Sequence, residues 1–211
     1  MLDPITATEA RILGALVEKQ LTTPEYYPLT LNALVNACNQ KNNRDPVMSL
    51  SENEVSTALE HLRDRNLVYV FYGSTSRVPK YKHMLPTYYD LEPAEVAIMA
   101  VLMLRGPQTV GELRERTGRM HEFSGIDEVQ QALNSLAARE DPLVLRLERL
   151  PGQKDARFAQ LLTGPVDVEA LAAAHPTRAQ ATESTNERIA KLEAEIEQLK
   201  NEFADFRKQF E

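Results

Sequence analysis

The chain is poor in the residues that most chemistry-bearing motifs need. Cys38 is the only cysteine among 211 residues, so no intrachain disulfide can form and a reducing compartment is the natural setting. Eight glycines are few for this length, and none stands in a phosphate-cradling loop. His61, His83, His121, His175 and Cys38 show no metal-ligand spacing, so no metal and no cofactor is expected. No apolar run approaches the length of a membrane span, and no membrane partner is expected. Residues 1–4 lack a basic stretch leading into an apolar run, so no signal peptide is read and the expected location is cytoplasmic. Positive charge is short as well: 24 Lys and Arg against 31 Asp and Glu give a formal net charge of -7. A protein that works by neutralising phosphates is usually basic, so any contact with nucleic acid has to come from a local patch.

What is present is an ordinary globular composition, 43% hydrophobic and 26% charged, with regular punctuation. Residues 51–83 are the organising stretch. Ser51 with Glu54 makes a capping box, in which the hydroxyl accepts from the Glu54 amide and the carboxylate reaches back. Val55, Ala58, Leu59 and Leu62 fall on one helical stripe, leaving Glu52, Asn53, Ser56, Thr57, Glu60 and Arg63 outside. After Asn66 the period changes, and residues 67–72 are β-branched and aromatic, which suits a strand. Residues 73–76 turn the chain and residues 77–84 return as the partner strand. Upstream, Thr6 with Glu9 caps an amphipathic helix carrying Ile12, Leu13, Leu16 and Val17. Thr30 caps a second helix with Leu31, Leu34, Val35 and Cys38 inward, and the connector between them is kept out of helix by Pro24 and Pro28.

From Leu91 the same order of elements returns. Pro93 opens an apolar helix with Val96, Ile98, Met99, Val101, Leu102 and Leu104, stopped at Gly106-Pro107. Thr109 with Glu112 caps a short helix ending at Gly118. A third helix follows Ser124-Gly125, and its Val129, Ala132, Leu133 and Leu136 repeat the offsets of Val55, Ala58, Leu59 and Leu62. Residues 143–147 and 155–161 make a second ribbon. One supersecondary unit encoded twice accounts for the chain to about Thr163. Residues 165–186 then read as a short helix and a polar linker. Beyond them Ile189, Leu192, Ile196, Leu199, Phe203, Phe206 and Phe210 step by three and four as a heptad seam. A lone helix of that length is marginal in water, so the seam needs a partner. A homodimer through this helix is expected, with docking on the chain's own repeats as the alternative.

The runs EKQLTTPEYYPLTLNAL at 18–34 and ACNQKNNRDPV at 37–47 resemble the signature of the bacterial YceH-like family of uncharacterised tandem winged-helix proteins. GRMHEF at 118–123 and PGQKDARF at 151–158 resemble that family's second half. The resemblance implies two winged-helix domains in a cytoplasmic bacterial protein, and it implies no reaction. The expected fold class is therefore α+β, mainly α: two tandem winged helix-turn-helix domains at 1–88 and 89–164, a linker at 165–186, and a coiled-coil helix at 187–211.

Candidate functional residues cluster in two places. The loop after the second helix carries Asn39, Gln40, Lys41, Asn42, Asn43 and Arg44; its amides could hydrogen-bond base edges and its cations phosphates. The same amides could equally satisfy their own backbone, as Asn and Asp do in loops. The first ribbon offers Arg77, Lys80, Lys82 and His83 among aromatics, and the second ribbon offers Lys154. Against this, the third helices are acidic, and carboxylates among phosphates cost affinity. No catalytic residue is assigned and no enzyme activity is expected: His121-Glu122 reads as a surface pair, and Cys38 as a buried thiol. The leading expectation is a regulator or accessory factor that binds double-stranded DNA. The alternative is a scaffold that docks a protein partner on its acidic third helices and coiled tail.

Overall fold

The computed structural model describes residues 3–72, 78–149, 154–167 and 196; among these the chain is α+β, with seven α-helices and two three-stranded antiparallel sheets. The first repeat runs α1 (Ala7–Thr22), β1 (Leu29–Thr30), α2 (Leu31–Cys38), α3 (Glu52–Asp64), β2 (Val68–Phe71) and β3 (Lys80–His83). A short α4 (Leu85–Tyr89) links it to the second. That repeat runs α5 (Pro93–Arg105), β4 (Gln108–Thr109), α6 (Val110–Thr117), α7 (Ile126–Ala137), β5 (Val144–Arg146) and β6 (Arg157–Gln160). The sheets have matching orders, β1-β3-β2 and β4-β6-β5.

Helix starts follow the side chains. Capping boxes form at Thr6/Glu9, Ser51/Glu54 and Thr109/Glu112, and the Thr30 hydroxyl accepts from the Ala33 amide at 3.3 Å. Each reciprocal pair satisfies two amides that a helix end would otherwise leave open. Thr30 and Thr109 do a second job absent from the sequence reading. Each also pairs in the sheet, Thr30 opposite Lys80 and Thr109 opposite Arg157. Strands of two residues are too short to show alternation, which is why the pattern hides them.

The stripes of both third helices are buried: Val55, Ala58, Leu59 and Leu62 in one, Val129, Ala132, Leu133 and Leu136 in the other. Both repeats bury their apolar side chains in one continuous cluster. At its centre α1 packs on α5, the two opening helices. Residues 9–17 of α1 and 95–104 of α5 are buried without interruption, so both helices are enclosed on every side. The amphipathic reading of α1 therefore falls short, because α5 covers the face that the sequence leaves small and polar. Gly14 lies at this crossing: a Cβ there would come 2.9 Å from Leu104 Cγ and 3.2 Å from Met103 Cβ.

The buried charges have partners. Glu9 accepts from the Thr6 amide at 2.6 Å, Glu95 pairs with Arg139 at 2.9 Å, and Arg11 donates to the carbonyls of Cys38 and Pro46 at 3.1 and 2.6 Å. Burial pushes the Cys38 thiol up to about 12, in keeping with a packing role. His83 corrects its sequence reading. It is 2% exposed, on the core side of β3 rather than beside the lysines.

No helix among the described residues is long and apolar enough to cross a membrane. Arg77 lies outside the described residues, as do Ile189, Leu192, Leu199, Phe203, Phe206 and Phe210. Ile196 is helical and half exposed.

Candidate functional site

Two surfaces gather charge and hydrogen-bonding groups. The first is the outward face of the β1-β3-β2 sheet. In the register, Tyr69 stands opposite Lys82 and Phe71 opposite Lys80, while Val68 and His83 pair on the buried side. Directly opposed residues share a face. The outward face thus sets a row of two aromatic rings on β2 beside a row of two ammonium groups on β3, with Tyr69 59% and Phe71 45% exposed.

The second repeat provides an internal comparison. At the matching register its sheet carries Leu145 opposite Ala159 in place of Tyr69 and Lys82. Its counterpart of Lys80 is Arg157, which donates to Glu112 at 2.9 and 3.3 Å. Glu112 follows Thr109 by three residues, and the residue three past Thr30 is Ala33. No carboxylate lies within ion-pair distance of Lys80 or Lys82 among the described residues. Burial favours the neutral Glu112 acid, but the Thr109 amide and the Arg157 and Arg116 guanidinium groups outweigh it and lower its pKa.

The second surface is built by the loop joining α2 to α3. In the first repeat this loop runs from Cys38 to Glu52, against Thr117 to Ile126 in the second. Asn39 closes it, donating to the Leu50 carbonyl and accepting from the Leu50 amide, both at 2.8 Å. Arg44 corrects its sequence reading: its side chain is buried, not free for a phosphate. It forks onto Glu18 at 2.6 and 3.1 Å and donates to the Ala37 carbonyl at 2.9 and 3.1 Å. Gln40 accepts from Arg44 at 3.2 Å. Asn39, Gln40 and Arg44 therefore hold the loop to its own repeat, and of the loop amides Asn39 bonds the loop's own backbone, at Leu50.

The far end of the loop reaches the second repeat. The Asp45 amide donates to the Leu104 carbonyl at 2.9 Å, and the Arg105 guanidinium donates to Asn43 Oδ1. Asn43 adopts φ 61°, a left-handed conformation that Asn tolerates. The loop and the C-terminal ends of α1, α5 and α6 enclose a cleft of about 690 Å³. Lys19, Lys41, Arg105, Arg116 and Arg119 line it against two carboxylates, Glu18 and Glu115. Val101, Leu104 and Met120 add apolar surface. Lys41, Asn42 and Arg119 are exposed.

Of the candidates, Gln40, Lys41, Asn42 and Asn43 thus come together at the cleft, and Lys80 and Lys82 on the sheet. Lys154 is exposed, and its carbonyl accepts from Arg149 at 3.5 Å. The sequence reading missed Lys19, Arg105, Arg116 and Arg119. Each is an ordinary cation near the end of a helix, and only tertiary packing gathers them. Tyr69 and Phe71 were open to detection, since alternation along residues 67–72 places them on the face opposite Val68.

The sequence model described as "Protein of unknown function, DUF480" matches residues 5–153. The chain belongs to this family. The same relationship appears among curated proteins called UPF0502. The chain is 53% identical to one from Citrifermentans bemidjiense, over 91% of its own length and 88% of the relative's. It is 50% identical to one from Geobacter sulfurreducens over 96% of both, and 55% identical to one from Opitutus terrae over 79% and 73%. The DUF480 match spans the whole cleft and the complete first sheet, ending before β6.

Proposed function

We propose that the chain is a double-stranded DNA-binding protein, a regulator or accessory factor, that meets the duplex with the outward face of its first sheet. The order helix, strand, helix, helix, strand, strand, with the last strand central in each sheet, supports reading both repeats as winged helix-turn-helix units. Such a pattern hosts many functions, so the argument rests on the surface. The Tyr69–Lys82 and Phe71–Lys80 pairs carry it: two cations without carboxylate partners among the described residues beside two exposed rings, present on one sheet and replaced on the other. Ammonium groups neutralise phosphates, and flat rings pack against the sugars of the duplex backbone. The exposed faces of α3 (Glu52, Glu54, Glu60, Asp64) and α7 (Asp127) repel phosphates and leave the ribbon to lead. The heptad seam supports pairing with a second copy.

Fluorescence anisotropy of the full chain on a short labelled duplex, across a salt series, tests this. Two phosphate contacts make the log K against log salt slope shallower by about 1.8 in the Lys80→Ala/Lys82→Ala variant. Tyr69→Ala/Phe71→Ala weakens binding and leaves the slope in place. Absence of binding at low salt, or a slope untouched by the lysine changes, refutes the proposal. A second reading, a protein-interaction module, has one observation in its favour: Ile126 is 52% exposed beside Asp127 on α7. It takes over if the duplex does not bind.

A further inference from the structure

We infer that the cleft between the two repeats is a binding site for a compact diphosphate ligand of nucleotide size, separate from the DNA-binding face. Three observations carry this. The first is charge. Five cations face two carboxylates in the cleft of a chain whose net charge is -7. Glu18 is held by the buried Arg44 fork and by Lys19 at 3.8 Å, and Arg116 reaches Glu112 at 3.6 Å, so Lys41, Arg105 and Arg119 are the cations with no ion pair among the described residues. The C-terminal ends of α1, α5 and α6 attract cations by themselves, each carrying about half a negative charge. Three ends offset about 1.5 charges, and the surplus stays positive.

The second observation is shape. A cleft of about 690 Å³ is far too small for a duplex, and it falls within the range of about 300–1,000 Å³ typical of small-ligand sites. The third is the arrangement of donors. Arg105, Arg116 and Arg119 come from the second repeat and Lys41 from the first, so an anion with two phosphoryl groups can be gripped from both sides. Arginine's planar fork suits phosphoryl oxygens better than an isolated ammonium does. Thr22, Asn42 and Met120 add hydroxyl, amide and apolar groups that can seat the rest of a nucleotide. The Asp45–Leu104 bond and the Arg105–Asn43 contact tie the loop to α5, which holds the loop backbone beside the cleft.

Calorimetry on the full chain with ADP, inorganic pyrophosphate and citrate tests the inference. ADP and pyrophosphate bind saturably at one per chain, and citrate binds at least tenfold more weakly. Lys41→Ala/Arg119→Ala, at two exposed positions outside the core, weakens ADP at least tenfold, whereas Lys41→Ala/Arg119→Lys, which keeps one charge but loses the planar fork, recovers only part of the loss. Lys80→Ala/Lys82→Ala leaves ADP affinity unchanged, so failure of the DNA reading does not touch this one. Four results overturn it: no saturable binding of either phosphate, equal affinity for citrate, full ADP affinity in the cleft variant, or ADP binding that is lost with Lys80 and Lys82.

Discussion

His83 makes the stability of this chain acid-sensitive in a defined window. Its ring is 2% exposed; Nδ1 accepts from the Leu85 amide at 3.4 Å and Nε2 is buried without a partner among the described residues. Burial, with a smaller contribution from Lys82, holds its pKa down to about 4, against about 6.5 for the unfolded chain. Between those values the unfolded chain binds a proton that the folded chain refuses, so stability rises with pH there. The contribution is complete above about pH 6.5 and is lost as pH falls toward 4; below 4 both states are protonated and nothing more is lost. At about 1.4 kcal/mol per pKa unit, the interval amounts to about 3 kcal/mol. Urea unfolding followed by circular dichroism at several pH values from 7 to 4 measures it. The His83→Asn variant, whose side-chain oxygen can replace Nδ1 as acceptor for Leu85, is the control. The wild type should lose about 3 kcal/mol more than the variant over that window. Parallel profiles would mean that His83 is protonated inside the fold, and the argument from its burial would fail.

Two further substitutions probe the frame. Arg44→Met leaves Glu18, whose side chain is only 12% exposed, with Lys19 at 3.8 Å as its remaining cation, and should cost at most about 3–5 kcal/mol in chemical denaturation. Glu18→Gln keeps an acceptor and should cost clearly less; the reverse ranking would show that the pair does not hold the loop. Gly14→Ala would stabilise an open helix by about 1 kcal/mol. Here the new Cβ meets Leu104 Cγ at 2.9 Å, so a net loss of about 1–2 kcal/mol and a lower Tm are expected. A rise in Tm would mean that α1 and α5 have room to part.

The sequence makes much of this fold legible because its signals are local. A capping box needs four consecutive residues, and the shared offsets of the two third helices need eight. Thr6/Glu9, Ser51/Glu54 and Thr109/Glu112 form as read, and both stripes are buried. What escapes the sequence depends on distant partners. Arg44 looks like a loop cation until Glu18, on another helix, is seen beneath it. Small and polar residues make one face of α1 look solvent-facing until α5 is laid across it. The same limit hides the cleft, whose five cations come from the α2–α3 loop, from the ends of α1, α5 and α6 and from the turn after α6, spread over about half of the chain.

The enclosure of α1 by α5 bears on how the protein is made. Ribosomes deliver the first repeat well before residues 95–104, so α1 emerges with the face around Gly14 uncovered, and the apolar α5 that must pack there follows later. Until the second copy's opening helix arrives, the nascent chain is an unfinished, sticky half. A ribosome stalled between the two repeats would therefore hold a substrate for chaperones rather than a finished module.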